Sequence, residues 1–535
     1  MSDKEGRREI AKMIAGGTIA KLAANGSAKL AGLIFYILLL RMLPPEDAGN
    51  YLIATAFLGV AATFSALGLN VAPYRFVQHY LAVGRAGEVR PFISLLLKAS
   101  LVIGLVVSGL VYFLSGSIAQ HYGKPIGGLL QIVAVCSFFS ILFTFFSAVL
   151  DSLKRLYDSA FAYAFQYLSK LALFFIAAYF LSMRDAATAM LTFAACLFAS
   201  ALLSGGLLFR AMAALPSATG REKPGMLWEA TKFGFPVYIS ASIEAVAAWI
   251  DAIIIGFFWQ SSLVAAYSSV MVFGRNVVPF VVTAINGVQQ TVLSENHEKN
   301  QNRFREIVSF GERWTVYLGL PVLAAFVAFP SQIVSSLFPS YTSSAHLFYI
   351  VSPAFFLVLL SNSSRNALFA SGRSDLLLRV ALVLLGLNVA LNIALVPSMG
   401  TDGAAYAMLV SIVAGELLAI HYANSQSGSG QTFRSLVAQV WKGLLAATVS
   451  TIACALALQG FAWEGLLQLG MSIFSLCVIY GCLMLALGAV GRSEGELMLE
   501  IAEGIPYAGR LVAPAKPLAL RLLHNEARAP SGKDK

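Results

Sequence analysis

Apolar residues in this chain gather into long runs separated by charged or turn residues, instead of alternating with polar ones. The runs lie at about 16–40, 48–70, 93–115, 127–150, 159–182, 187–210, 235–258, 263–290, 314–337, 345–365, 376–396, 403–424, 435–458 and 466–490. A helix that crosses the hydrocarbon core needs about 20 predominantly apolar residues, whereas a membrane barrel strand needs about 10 of alternating polarity. The pattern therefore predicts an all-α polytopic membrane protein with fourteen transmembrane helices.

Composition narrows the class further. Of 535 residues, 58% are hydrophobic and 12% charged, with a mean hydropathy of +0.75. Soluble domains carry about 25% charged residues, so a soluble globular or disordered chain is excluded. The longest polar stretch is the tail from Gly491, too short for a sizeable core outside the membrane. The five cysteines all lie inside apolar runs, which argues against a disulfide framework. The N-terminal MSDKEGRREIAKM is basic and lacks a short apolar run with a small-residue cleavage site, so it reads as a cytoplasmic flank.

Lysine and arginine set the orientation. With the N-terminus cytoplasmic, 29 of them fall in cytoplasmic segments, Arg365, Arg373 and Arg379 among these, and 3 on the other side: Arg41, Lys124 and Arg184. Both termini of this multi-pass membrane protein are then cytoplasmic. The net charge of +10 follows from loops facing an anionic leaflet, with no nucleic-acid partner implied.

The chain also matches itself at an offset of 216–218. AGNYLIA at 48–54 falls on VAAYSSV at 264–270, placing Tyr51 on Tyr267. DAATAML at 185–191 falls on GAAYAML at 403–409, and Arg155 on Arg373. This predicts an N-terminal lobe of six spans in residues 1–213, a cytoplasmic linker at 214–232 and a C-terminal lobe of six spans at 233–424. Spans 13 and 14 follow at 425–490, then a cytoplasmic tail at 491–535. Six is even, so both lobes insert in the same direction, related by a pseudo-two-fold along the membrane normal. Two such lobes about a central cleft form a transporter architecture.

Several segments carry a family resemblance. LLLRMLPPEDAGNYLIATAF (38–57) with SALGLNVAPYRFVQHY (65–80), FPVYISASIEAVAAWIDAIIIGFF (235–258) and VPSMGTDGAAYAMLVS (396–411) stand in order along the chain. In that order they resemble the Wzx-type polysaccharide flippases, of the superfamily that also holds the lipid II flippases and the MATE multidrug extruders. The first turn departs in having Pro44-Pro45 where the family often has Leu-Gly-Pro. The resemblance implies translocation of an undecaprenyl-pyrophosphate-linked oligosaccharide from the inner to the outer leaflet, for surface polysaccharide synthesis. The partners expected with it are that polyprenyl-pyrophosphate oligosaccharide, membrane lipids, a polysaccharide polymerase and a chain-length regulator.

Ionisable residues at membrane depth are functional candidates by default. Lys21, Asn25 and Lys29 share one face of the first helix. With Lys170 and Arg275 they form a candidate cationic cavity for the pyrophosphate, since Arg offers a planar fork of donors to phosphate oxygens. The alternatives are that Lys21 snorkels to the surface and that Arg275 pairs with Asp251. Glu244 and Asp251, seven apart on span 7, Asn388 and Asn392 on span 11, and Glu416 on span 12 form a candidate site for coupling to H⁺ or Na⁺. The asparagines serve equally well as helix-packing residues. No histidine has metal-ligand spacing to another, and no P-loop or nucleophile constellation appears. The sequence therefore points away from an enzyme, a metal site or a cofactor. A MATE-like exporter of small molecules is the competing reading, and an integral-membrane glycosyltransferase or polymerase a more distant one.

Overall fold

The computed structural model describes residues 24–66, 68–216, 225–296, 301–427, 433–458 and 465–489, almost all helical, with no strand among them. Each predicted apolar run falls on a helix. In the first half these are α1 (24–42), α2 (Pro45–Ala66), α4 (Val89–Tyr122), α5 (Gly127–Ser152), α6 (Leu156–Phe175) and α7 (Ala186–Ala213). In the second half they are α8 (Met226–Phe258), α9 (Ser261–Asn296), α10 (Gln301–Ala328) with α11 (Pro330–Leu337), α12 (Leu347–Ala370), α13 (Ser374–Met399) and α14 (Thr401–Ser427). Then come α15 (Phe433–Leu458) and α16 (Leu466–Ala486). A short helix, α3 (Ala72–Ala82), lies between α2 and α4.

Among the described residues, ten helices are long and apolar enough to cross a membrane, and the bent pair α10–α11 makes an eleventh. The run expected at 314–337 is thus not one straight helix but turns by 81°. Pro330 opens α11 and Phe329 before it takes φ −129° and ψ 37°, outside the helical region. Proline lacks an N–H and crowds the residue before it, which accounts for the break. The second run also ends early, at Ala66. Gly68, at φ +79°, turns the chain into α3, whose apolar face packs inward on α5.

The two halves repeat one packing order. In the first, α5 packs on α4 and α7, and α6 on α7; in the second, α12 packs on α10 and α14, and α13 on α14. The turns after α5 and α12 match as well. Lys154 and Gly372 are both left-handed, at φ +59° and +70°. Arg155 N–H donates to the Leu150 carbonyl at 2.9 Å, and Arg373 N–H to the Leu368 carbonyl at 3.0 Å. This is the register in which Arg155 fell on Arg373.

The halves meet where α2 packs on α8 and α9. The approach is close enough that a Cβ on Gly49 would overlap the Ser261 carbonyl, and one on Gly59 the Trp249 ring. The end of the bundle where α1 starts is here called the near end, the other the far end. At the far end Ser261 Oγ donates to Asn50 Oδ1 at 2.6 Å, and Tyr122 OH to the Ile253 carbonyl at 3.0 Å. Lys124, in the α4–α5 turn, donates to the Gly256 carbonyl and, at 2.7 Å, to that of Trp259. The Gly256 and Trp259 carbonyls lie past the last helical bond of α8, Trp259 N–H to Ile255 O, so Lys124 satisfies them from the other half. Burial lowers the pKa of Lys124, with the Glu46 carboxylate acting in the opposite direction.

Candidate functional site

Two cavities flank α8. The first, about 330 Å³, lies between the halves and is lined by Tyr36, Tyr167, Lys170, Trp249, Arg275 and Asn276 among others. The second, about 450 Å³, lies within the second half among α8, α9, α12, α13 and α14, with Glu244, Asp251, Arg275, Arg365, Asn388 and Glu416 on its wall. Arg275 belongs to both. Its guanidinium lies over the Trp249 ring, 4.7 Å from the centroid, and Nη2 donates to the Ala248 carbonyl at 2.6 Å. Arg275 and Trp249 therefore stand in the partition between the cavities.

In the first cavity the Lys170 ammonium is held by rings. Nζ is 3.8 Å from the Phe193 centroid, 4.0 Å from that of Phe35, and 6.0 Å from those of Tyr36 and Tyr51. No carboxylate among the described residues bonds to it. A desolvated cation–π contact contributes about 2 kcal/mol. The rings orient this charge without neutralising it, which leaves it available to an anion.

In the second cavity the charges are matched. Arg365 donates to Glu416 Oε1 at 3.1 Å and to Glu244, while Ser361 Oγ donates to Glu416 Oε2 at 2.6 Å. Deeper along α8, Asp251 is buried. Tyr267 OH donates to its Oδ2 at 2.8 Å, and Asn392 Nδ2 to its Oδ1 at 2.9 Å. Asn392 also donates to Asn388 Oδ1 at 3.2 Å, and Asn388 to Ser411 Oγ at 3.4 Å. A carboxylate surrounded by amide and hydroxyl oxygens suits a proton or a hard monovalent cation.

The internal repeat relates the two deep sites residue by residue. Phe35 and Tyr51 lie 216 positions before Asp251 and Tyr267. Lys170, Phe174 and Phe193 lie 218 before Asn388, Asn392 and Ser411. The contacts correspond too. Phe35 touches Tyr51 and Phe174, at ring separations of 6.1 and 5.2 Å, as Asp251 touches Tyr267 and Asn392.

Of the residues proposed for a cationic cavity, the structure brings Lys170 and Arg275 to the lining of one cavity. Asn25 and Lys29 lie on α1, partly buried, outside both cavity linings. Lys21 lies outside the described residues. Arg275 does not hydrogen-bond Asp251, whose described bonds come from Tyr267 and Asn392. All five residues proposed for ion coupling gather at the second cavity: Glu244, Asp251, Asn388 and Glu416 line it, and Asn392 bonds to Asp251 behind the wall. One assignment needs correction. Arg365, expected in a cytoplasmic segment, sits inside α12, because that helix continues to Ala370 and two carboxylates compensate the charge. Its position between Asn362 and Asn366 in the polar run SNSSRN was the available signal. The aromatic cage of Lys170 had none, since Phe35 and Phe193 look like any apolar span residue.

Comparisons with known proteins agree with this architecture. Residues 14–296, just over half of the chain, match the polysaccharide biosynthesis protein family. Membrane protein MJ1068 of Methanocaldococcus jannaschii, itself uncharacterized, is 22% identical over 383 residues, covering 68% of this chain and 74% of that protein. Two proteins of Haloferax volcanii also match. The probable flippase AglR is 27% identical over 32% of this chain and 37% of its own length. The probable low-salt glycan biosynthesis flippase Agl15 is 24% identical over 52% of this chain and 59% of its own length. Among solved structures, the lipid II flippase MurJ in an inward closed conformation superposes with a TM-score of 0.67 at 12% identity, over 87% of this chain and 98% of that one. An inward-facing MATE family multidrug transporter gives 0.62 at 12% identity, over 77% and 98%. With the MurJ and MATE fold and a family match across the first half and into the second, this chain belongs to the polysaccharide biosynthesis protein family.

Proposed function

We propose that the protein is a flippase for a polyprenyl-pyrophosphate-linked oligosaccharide, moving it from the inner to the outer leaflet by alternating access of its two lobes, 1–213 and 233–424. The observation that carries this reading is the cavity between the halves, where Lys170 and Arg275 stand among Tyr36, Tyr167, Phe193 and Trp249. Two cations suit a pyrophosphate, and aromatic faces suit the apolar faces of sugars. The names of the relatives, two probable flippases and a lipid II flippase, support the same class. A cavity walled by cations repels organic cations, which disfavours the MATE-like alternative. The chain is read as a transporter without enzymatic activity, in a bacterial inner membrane with both termini cytoplasmic. The far end then faces outward.

A large polar cargo crossing the bilayer against a gradient needs a driving force. Protonation or Na⁺ binding at Asp251, Asn388 and Asn392, with Glu244 and Glu416 beside them, is the proposed source. Such a ligand biases the lobes only through different affinity for their two arrangements.

The test is reconstitution with a fluorescent polyprenyl-pyrophosphate oligosaccharide. Wild type should expose the label to an external quencher faster than empty liposomes, and the double variant Lys170→Ala, Arg275→Ala should not. Transfer at the empty-liposome rate by wild type, with an organic cation moved instead, would favour the exporter.

A further inference from the structure

The polar run of α12 sends side chains to opposite faces. Ser361 and Arg365 reach the second cavity, whereas Ser364 reaches α10 and donates to Glu312 Oε1 at 2.8 Å. Glu312 is 1% exposed, and its other oxygen, Oε2, is buried with no hydrogen-bond partner among the described residues. It lies outside both cavities.

Among the described residues, the groups on the surrounding helices supply no compensating charge. Gln289 of α9 and Ser363 of α12, packed beside Gly311, bond to each other at 2.9 Å and are neutral. Arg365 of α12 is engaged by Glu244 and Glu416. Lys442 of α15 donates to the Gly488 carbonyl at 2.9 Å, and Tyr480 of α16 to the Tyr317 carbonyl at 3.0 Å. Arg313, next in the chain, is not among the groups bonded to the carboxylate, whose described partner is Ser364. An ionised carboxylate taken out of water without a cation costs several kcal/mol, whereas the neutral acid requires only hydrogen bonds. Among the described residues no group of three histidine, cysteine or carboxylate side chains surrounds it.

We propose that Glu312 is a proton-binding site, separate from the ion site at Asp251. Its carboxyl holds a proton while α10 and α12 are packed together. The O–H bond breaks, with the proton passing to water and the carboxylate left hydrated, when water enters that contact.

The full-length protein in lipid nanodiscs provides the test. At neutral pH the infrared spectrum should contain a protonated-carboxyl carbonyl band that Glu312→Gln loses. Thermal stability of wild type should fall as pH is raised, and that of Glu312→Gln should fall measurably less. If Glu312→Gln does not fold, Glu312→Asp replaces it, and the same band should shift in frequency instead of vanishing. An unchanged band in either variant overturns the proposal. So does a Glu312→Gln protein as unstable as Glu312→Ala at every pH, since the ionised form would then be the one the packing requires.

Discussion

The deep site of the first half and that of the second occupy the same place in the repeat and have opposite chemistry. Around Lys170 the walls are phenyl and phenol rings. Around Asp251 they are amides and hydroxyls. Tyr51 and Tyr267 are shared, and nearly everything they touch has been exchanged. Rings orient a cation without neutralising it, so the first site is prepared for an anion from outside. Amide and hydroxyl groups solvate a carboxylate and leave room for a small cation or a proton. Under the proposed function, one scaffold used twice would serve cargo at one site and a driving ion at the other, and Arg275 stands in the wall between the two cavities.

The comparison is broken most directly by removing each charge in turn. Lys170→Met should lower flipping by more than about tenfold, or about 1.4 kcal/mol in the barrier, with the protein still folded, as measured by leaflet transfer in proteoliposomes. Asp251→Asn should leave cargo binding within about twofold and abolish the response to an imposed pH or Na⁺ gradient. If both variants fail in cargo binding alone, the two sites are not functionally distinct.

Exchanging the shared tyrosines is a finer cut. Tyr267 OH donates to Asp251, and a hydrogen bond to a charged group contributes about 1.5–3 kcal/mol, so Tyr267→Phe should weaken ion dependence measurably. The buried Tyr51 hydroxyl has no hydrogen-bond partner among the described residues, and Tyr51→Phe should stay within about 0.5 kcal/mol of wild type in thermal stability. The smallest effect is expected at the far-end seal. Lys124→Ala removes the bonds to the α8 carbonyls and should raise the accessibility of a cysteine placed in the first cavity to an impermeant reagent from the far side. Because burial lowers the Lys124 pKa, the wild-type seal should begin to weaken as pH rises, before ordinary lysines deprotonate.

Much of this was legible in the sequence, for physical reasons that also set the limits. Apolar run length reports helices directly: every run overlaps at least one, though among the described residues only ten, or eleven with the bent pair, are long and apolar enough to span. The match of Arg155 to Arg373 reported a shared turn because the same left-handed geometry ends α5 and α12. Charged residues at depth were conspicuous, so Lys170, Arg275, Glu244, Asp251 and Glu416 were identified. Their partners were not. A phenylalanine that cages a lysine has the same hydropathy as one facing lipid. The helix break at Pro330 did have a signal, the proline followed by Ser331 and Gln332, within a stretch otherwise long enough for one span. Arg365 and Glu312 lie near the ends of apolar runs, where charge is ordinarily assigned to loops.

The polar belt of α12 has a consequence for how the chain enters the membrane during synthesis. Ser361 through Asn366 reach α8, α9, α10 and α14, so this helix has no wholly apolar face to offer lipid at that level. An arginine costs about 2.5–3.5 kcal/mol at the centre of an isolated inserting helix and less toward its ends, and Arg365 lies five residues before the end of α12. When α12 leaves the ribosome, α8 with Glu244, α9 with Gln289 and α10 with Glu312 have already been made. Glu416, the second carboxylate for Arg365, is still fifty-one residues away in the chain. Insertion of α12 therefore depends on helices made before it being retained close by, and Arg365 must rest on Glu244 alone until α14 arrives.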